Sequence, residues 1–141
     1  MFAFHHVTLN VRNLDAAEGF YKGLGFEPDY RWQDEQGELQ ICHLRLGQAR
    51  LELYCFRPVE EPELAALPPW AQGHRLGLRH FALQVEDLDD ALSSLHGAGL
   101  LADKPTPVPG QICERYVFIM DPDGNSVELL EAPLVQIQRP E

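Results

Sequence analysis

Apolar and polar side chains alternate along residues 5–11 and again along residues 79–85. A period of two residues is typical of a strand that buries one face. After each stretch, apolar residues recur at helical spacing behind Asn13 or Asp87, whose side chains can cap the first turn of a helix. We expect Gly23 and Gly97 to take the left-handed conformation that closes these helices. The strand side chains expected to face the core are Val7, Leu9, Val11, Phe81, Leu83 and Val85.

The second half of the chain repeats the first. Residues 6–17 align with residues 80–91 at a shift of 74 positions, and the match continues without a gap to the end of the predicted helix. Further on, Glu52 and its neighbours align with Glu128 at a shift of 76, because the second half has two extra residues in its proline-rich stretch. A match of this length indicates an internal duplication, so the two halves are expected to fold alike.

Each half is predicted to form a βαβββ module, which makes the fold class α+β. The turns expected between the last two strands of each module are Gly47-Gln48 and residues 121–125. A short helix is predicted near residues 62–67, in a proline-containing segment between the modules. The strands expected after the helices are 28–33, 40–46, 50–56, 103–106, 115–120 and 126–131. The predicted organisation is a single domain of residues 1–141, with a first module at 1–56, a linker at 57–76, a second module at 77–135 and a tail at 136–141.

Composition narrows the class of protein. Of the 141 residues, 45% are hydrophobic and 23% are charged, which is ordinary for a globular protein. No apolar run approaches the roughly 20 residues of a membrane span, and no signal-peptide pattern is seen, so we expect a cytoplasmic protein without a membrane partner. A net charge of −11 repels phosphate backbones, so nucleic acid is not an expected partner. The three cysteines lack metal-site spacing and are expected to be reduced packing residues.

Two histidines and two glutamates recur at equivalent places in the two modules. His6 and His80 lie on the polar face of each first strand, and Glu52 and Glu128 interrupt the apolar run of each last strand. A buried carboxylate without a counter-charge is costly, and a divalent cation between imidazole and carboxylate ligands removes that cost. The sequence therefore predicts one divalent-metal site built from these four residues. The histidines without a histidine equivalent are expected outside the site or at the surface, and they are His5, His43, His74 and His96.

Several motifs resemble those of the vicinal oxygen chelate superfamily, and together they span nearly the whole chain. They are Phe4–Val11, Leu14–Ala17 with Phe20-Tyr21, Leu24–Phe26, Arg79–Leu83 and Asp121–Leu129. The resemblance implies paired βαβββ modules that form a curved mixed β-sheet around a metal cavity. It places the metal-ligand positions of the family at His6, Glu52, His80 and Glu128. It also implies a homodimer, because small members of the family are commonly dimeric.

The set of two histidines and two glutamates is similar to that of glyoxalase I, a member of this superfamily. The similarity implies a lyase or isomerase in which a divalent metal stabilises an enolate or enediolate of a small oxygenated substrate. Bacterial glyoxalase I enzymes hold glutathione with an arginine and an asparagine, whereas Asn10 and Phe56 occupy those positions here. Fosfomycin-resistance transferases and ring-cleaving dioxygenases use three protein ligands, so a fourth ligand at Glu52 argues against both.

We therefore expect Glu128, or Glu52 if it detaches from the metal, to act as the catalytic base. The expected cofactor is one divalent ion of nickel, cobalt, zinc or manganese, with two coordination positions left for adjacent substrate oxygens. Two alternatives stay open: an extradiol-type dioxygenase that uses iron(II), and a metal-free protein of the same fold that binds a small molecule, as resistance proteins do. Residues expected to contact the substrate are Thr8, Asn10, Tyr54, Arg115 and Tyr116.

Overall fold

The computed structural model describes residues 1–61 and 76–131 of the chain. The described residues fold as two βαβββ modules in tandem, which confirms the predicted α+β class. The first module contains β1 (Val7–Asn10), α1 (Leu14–Gly23), β2 (Glu27–Gln33), β3 (Leu39–Leu46) and β4 (Ala49–Phe56). The second contains β5 (Phe81–Val85), α2 (Leu88–Gly97), β6 (Val108–Pro109), β7 (Arg115–Met120) and β8 (Ser126–Glu131). The short helix predicted near 62–67, His74 and the tail at 136–141 lie outside the described residues.

Each module forms a four-stranded mixed sheet with the same connectivity. The strand orders are β1-β4-β3-β2 and β5-β8-β7-β6. The first and last strands of each module are parallel neighbours, with Thr8 opposite Glu52 in one sheet and Ala82 opposite Glu128 in the other. The hydrogen-bond register therefore reproduces the alignment of the two halves that the sequence indicates.

The chain divides into two compact units, and the Asp121–Asn125 turn belongs to the first of them. Asp121 is 5% exposed and organises this turn, because its Oδ1 accepts the amides of Asp123 and Asn125, both at 2.9 Å. Its Oδ2 accepts the Asn125 side-chain amide and the Tyr21 hydroxyl, both at 2.8 Å. Burial raises the pKa of Tyr21, and the Asp121 carboxylate raises it further, so the phenol stays protonated as a donor. The first unit thus contains a buried polar network.

The residues that cap the starts of both helices are the predicted ones, whereas the glycines that close the helices are not. Asn13 and Asp87 cap the helices as predicted, each accepting the backbone amide three residues later. The prediction for Gly23 and Gly97 is wrong, since the positive φ angles belong to Gly25 (96°) and Gly99 (73°). In both modules the amides of these glycines and of the next residue turn back to the last helical turn. Such a paired closure needs the left-handed residue two positions beyond the helix, where only glycine adopts it without strain.

The strand predicted at 103–106 is wrong, because β6 lies at Val108–Pro109 instead. Proline alternates with other residues from Pro105 to Pro109, so few backbone amides in this stretch can donate. The residues that reach the neighbouring strand are Val108, which pairs with Tyr116, and Gly110, whose amide bonds to the Glu114 carbonyl at 3.2 Å. The other strands lie within one residue or two of their predicted bounds, and His6 and His80 come directly before β1 and β5.

The core of each unit lies between its sheet and its helix. The helices bury one face each, and all three cysteines are free and buried, which confirms that they are packing residues. Among the described residues, no helix is long and apolar enough to cross a membrane. The largest fully buried side chains are Tyr21, Leu44, Leu53, Leu88 and Leu129.

One ion pair in the second unit joins β7 to β8 and to the start of α2. Arg115 donates to both oxygens of Glu131, at 2.7 and 2.8 Å, and Glu131 also accepts the Leu88 amide at 3.1 Å. Arg115 reaches Asp89 as well, at 3.0 Å. The guanidinium and the Leu88 amide hold the pKa of Glu131 at about 2. A carboxylate with a lowered pKa stabilises the folded state above its unfolded pKa and loses that contribution as the pH falls toward the folded value.

Glu131→Gln is therefore expected to be less stable than the wild type at pH 7, and the difference should shrink as the pH falls from about 4.5 toward 2. The measurement is the denaturant midpoint of both proteins at several pH values between 7 and 2.5. A stability difference that stays constant over this range would contradict the assigned cause, because it would show that ionisation of Glu131 contributes nothing.

Candidate metal centre

His6 and Glu52 meet where β1 and β4 run side by side. His6 lies two residues before Thr8, which is the partner of Glu52 in the parallel ladder, so the two share one face of the sheet. The His6 Nε2 atom is 3.3 Å from Glu52 Oε1. The other ring nitrogen of His6 is 2.7 Å from Nδ1 of His5. His5, expected outside the site, is therefore adjacent to it, and Nε2 is the His6 nitrogen that faces the carboxylate.

Both oxygens of Glu52 have further partners. Thr8 Oγ1 donates to Oε1 at 2.9 Å, and His43 Nε2 lies 2.6 Å from Oε2. Burial alone would raise the pKa of Glu52, but the hydrogen bonds of His43 and Thr8 and the nearby His6 ring outweigh it, so the pKa lies below its usual range. Because Glu52 is then an ionised acceptor, the His43 Nε2 atom carries a hydrogen and donates it.

His43 corrects the sequence analysis, which expected it at the surface. It is half-buried, and it lies directly opposite Glu52 in the β3-β4 pairing. Counting back from the Gly47-Gln48 turn in steps of one residue on each strand predicts this pairing, so the signal was present. The sequence repeat does not mark His43, because Phe118 occupies the equivalent position opposite Glu128. By contrast, His96 lies at the surface as expected.

The second unit contains the equivalent pair. His80 Nε2 is 2.9 Å from Glu128 Oε2, and Glu128 lies opposite Ala82 in the parallel ladder. The edge of the Phe118 ring packs against the His80 ring, with centroids 4.9 Å apart. His80 Nδ1 is buried and has no hydrogen-bond partner within residues 1–61 and 76–131. As in the first unit, Nε2 is the nitrogen that faces the carboxylate.

A cavity of about 780 Å³ opens beside His80 and Glu128. Tyr116, Phe118 and residues of the stretch from Pro105 to Gly110 contribute to its lining. Most of the lining is apolar, and its polar residues include Arg79, His80, Gln111 and Glu128. A cavity of this size and character is typical of small-molecule sites. The Tyr116 side chain is thus placed where the sequence analysis expected a substrate contact.

The other residues expected at the substrate lie in different surroundings. Tyr54 follows Glu52 by two residues on β4, and burial together with the Glu52 carboxylate raises its pKa. Asn10 lines a separate cavity of about 600 Å³ in the first unit, together with Phe56. Thr8 contacts Glu52 as described above. Arg115 is paired with Glu131 and Asp89 at the start of α2, and it does not line the cavity of the second unit.

The donor chemistry of each histidine-glutamate pair suits a divalent metal ion. Two ligands that bind one ion at neighbouring positions, with bonds of about 2.0–2.2 Å, lie roughly 2.9–3.5 Å apart. The histidine-to-glutamate distances of 3.3 and 2.9 Å are compatible with this range, and 2.9 Å is also an ordinary hydrogen-bond length. In the part of the chain that the structure describes, no group of three or more His, Cys, Asp and Glu side chains could hold a metal. Each unit therefore supplies a pair of suitable donors.

The similarity of this sequence to known proteins extends over nearly its whole length. A family model described as the Glyoxalase/Bleomycin resistance protein/Dioxygenase superfamily matches residues 3–129. The chain is 29% identical over 133 residues to the uncharacterized protein YwkD of Bacillus subtilis (strain 168), covering 92% of this chain and 96% of that protein. It is also 29% identical over 130 residues to the uncharacterized protein YaeR of Escherichia coli (strain K12), covering 90% and 94%.

Solved structures share the fold. A glyoxalase family protein from Enterococcus faecalis superposes with a TM-score of 0.73 at 27% identity, covering 92% of this chain and 97% of that one. A glyoxalase I variant from Zea mays has a TM-score of 0.71 at 19% identity, covering 91% of this chain and 44% of that one. The fosfomycin resistance protein FosX from Mesorhizobium loti has a TM-score of 0.65 at 17% identity, covering 95% and 94%. The last two similarities concern the fold alone.

Proposed function

Because the chain belongs to the glyoxalase/bleomycin resistance protein/dioxygenase superfamily, we propose that it is a divalent-metal-dependent lyase or isomerase. The proposed reaction moves a proton beside a carbonyl group of a small oxygenated substrate. The observation that carries the proposal is the repeated pair of histidine Nε2 and glutamate oxygen, 3.3 Å apart in one unit and 2.9 Å in the other. The pair recurs at the same register position in both sheets, although the neighbouring residues differ. Such selective recurrence is expected if the two pairs share a chemical role.

The proposed ligands are His6, Glu52, His80 and Glu128. When bound, a nickel, cobalt, zinc or manganese ion would supply stabilisation of the negative charge that develops on a substrate oxygen. The chain itself supplies the base, either Glu128 or Glu52, whose carboxylate accepts the proton from carbon. Both glutamates are mostly buried, with side chains 12% and 15% exposed, so water competes little for the transferred proton.

The mostly apolar lining of the cavity in the second unit favours a substrate with a hydrophobic portion. Val108, Ile112, Tyr116 and Phe118 present hydrophobic surface, and His80 and Glu128 are among the polar residues of the lining. Binding there buries this hydrophobic portion, and the adjacent substrate oxygens point toward the histidine and glutamate. Glutathione is not the favoured thiol, because Asn10 and Phe56 replace the arginine and the asparagine that hold it in the glyoxalase I enzymes that the chain resembles.

The test is a substrate panel with protein loaded separately with each candidate metal. The panel contains α-keto aldehydes with thiols, acyl-CoA epimers and catechols, and the readouts are exchange of substrate hydrogen with solvent deuterium and consumption of oxygen. Proton exchange that depends on nickel, cobalt, zinc or manganese supports the proposal. Glu128→Gln should lower the exchange rate by about 10²–10⁴-fold, whereas Glu86→Gln, which alters an exposed glutamate of the same unit, should not.

Two results would contradict the proposal. Oxygen consumption with catechols and iron(II) would assign the protein to ring cleavage. Binding of panel compounds by metal-free protein, without turnover under any metal, would make it a binding protein of the same fold.

A further inference from the structure

The two modules differ in the connection between their second and third strands. Five residues join these strands in each module, 34–38 in the first and 110–114 in the second. The 34–38 connection carries three acidic residues and no aliphatic one, whereas the 110–114 connection carries a single acidic residue and contains Ile112 and Cys113. Short connections between strands are commonly built from polar residues and glycine. The apolar pair therefore points to a role beyond joining two strands.

Both apolar residues line the cavity of the second unit, and all lining residues of that cavity belong to this unit. Ile112 is 58% exposed, and Val108, at the end of the preceding strand, is 43% exposed. Cys113 is buried. Burial raises the pKa of its thiol, and the Glu128 carboxylate raises it further, so the thiol stays neutral and acts as a small apolar side chain. The connection thus presents uncharged apolar surface to the cavity.

The 110–114 connection is held in one shape by a close contact within it. A Cβ atom at Gly110 would overlap the Cys113 sulfur and lie 2.8 Å from the Cys113 carbonyl oxygen, so glycine is required for this approach. The Gly110 amide also donates to the Glu114 carbonyl at 3.2 Å. Ile112 is therefore presented by a rigid support, and a ligand that covers it loses little free energy in ordering the protein.

This surface favours an uncharged hydrophobic group in the ligand. Each buried carbon atom strengthens binding by about fourfold, whereas a hydroxyl or charged group placed against the same surface loses its hydration without gaining a partner. Two polar residues of the lining near the connection, Thr106 and Gln111, are exposed, so water remains available to their side chains. The cavity volume of about 780 Å³ has room for a group of several carbon atoms.

We propose that the 110–114 connection selects the substrate, and that it favours an uncharged aliphatic or aromatic group of several carbon atoms attached to the oxygen-bearing end. This inference rests on the proposed function, which places the substrate oxygens near His80 and Glu128, and it deepens that function by naming the substrate class. Ile112 and Cys113 are then specificity-determining residues, because they contact the hydrophobic group and not the reacting atoms.

Three unreactive probes with two adjacent oxygens test the selection: propane-1,2-diol, hexane-1,2-diol and pentane-1,2,5-triol. The last two have the same length and differ only in a terminal methyl or hydroxyl group. Affinities are measured from amide chemical shifts of ¹⁵N-labelled protein as purified. Hexane-1,2-diol should bind about tenfold or more tightly than the triol, and about fourfold more tightly than propane-1,2-diol for each additional carbon atom. A triol that binds as tightly as hexane-1,2-diol would overturn the proposal.

Exchange of the central residues of the two connections assigns the selection to its site. Ile112→Gln, which changes an exposed side chain, should weaken binding of hexane-1,2-diol about tenfold and leave that of propane-1,2-diol unchanged. Gln36→Ile, the converse change at an exposed position of the 34–38 connection, is the matched control and should alter neither affinity. Gly110→Ala must displace Cys113 and should also weaken hexane-1,2-diol selectively. Unchanged affinities in Ile112→Gln, or equal losses for both diols, would contradict the role of the connection.

These results can be told apart from failure of the proposed function, because the affinities do not depend on turnover. A protein that exchanges substrate protons in a metal-dependent way, yet binds the triol as well as hexane-1,2-diol, would refute the selective role alone. A protein that selects hexane-1,2-diol through Ile112, yet exchanges no proton with any metal, would refute the proposed reaction and retain the connection as a ligand-selecting surface.

Discussion

Asp121→Ala is expected to lower the free energy of unfolding by about 3 kcal/mol or more. The carboxylate is 5% exposed, and its oxygens accept hydrogen bonds from the backbone amides of Asp123 and Asn125, from the Asn125 side chain and from the Tyr21 hydroxyl. Alanine takes away the acceptor for all four donors, among them a phenol on a fully buried ring. Each bond to a charged group contributes about 1.5–3 kcal/mol, and bonds of one network are not additive.

Chemical denaturation of the wild type and three variants measures this effect. Tyr21→Phe removes one of the four bonds and should cost less than Asp121→Ala, while Asp121→Asn keeps one acceptor oxygen and should fall between. The slope of unfolding against denaturant should stay unchanged, because the folded state keeps its shape. A loss of less than about 1 kcal/mol in Asp121→Ala would show that the turn is held by its backbone alone.

Much of the fold follows from the duplication in the sequence. Once residues 6–17 are aligned with 80–91, every feature of one half can be checked against the other, and both strands, both helix caps and both last turns agree. Alternating apolar residues indicate that one face of a strand is buried, and capping residues indicate hydrogen bonds within the first helical turn. Both patterns can be recognised without knowledge of the tertiary structure, because both depend on residues that are close in sequence.

Two wrong predictions, for His43 and for the strand at 103–106, arise from contacts between strands that the sequence repeat does not report. His43 was missed because its importance comes from a cross-strand partner and not from a repeated histidine. The strand at 103–106 was misplaced because pairing in a proline-rich edge depends on which amides reach β7. In both cases a partner on the neighbouring strand decided the role.

The two modules differ in the side chains that lie opposite their equivalent glutamates. Repetition selects His6, Glu52, His80 and Glu128 as a candidate ligand set, whereas divergence at the neighbouring positions distinguishes the two glutamates. A duplicated module can thus keep an equivalent histidine and glutamate and still change the surroundings of one carboxylate. Only the register of the sheets makes this comparison possible, because it identifies which positions correspond.

The account depends on His6 and His80 being ligands of equal importance. Each histidine-glutamate pair supplies two donors, and a divalent ion of the expected kind takes four or more ligands. Loss of a histidine from either pair should therefore weaken metal binding by about 100-fold or more, beyond the effect typical of residues that only support a ligand. His96→Ala, which changes an exposed histidine on α2, is the matched control.

The most direct measurement is the metal content of protein purified without chelators and passed over a desalting column. The wild type and His96→Ala are expected to carry one equivalent of nickel, cobalt, zinc or manganese per chain, and His6→Ala and His80→Ala are each expected to carry almost none. A full equivalent retained by folded His80→Ala, or a wild type that takes up no divalent ion at any concentration tested, would contradict the account.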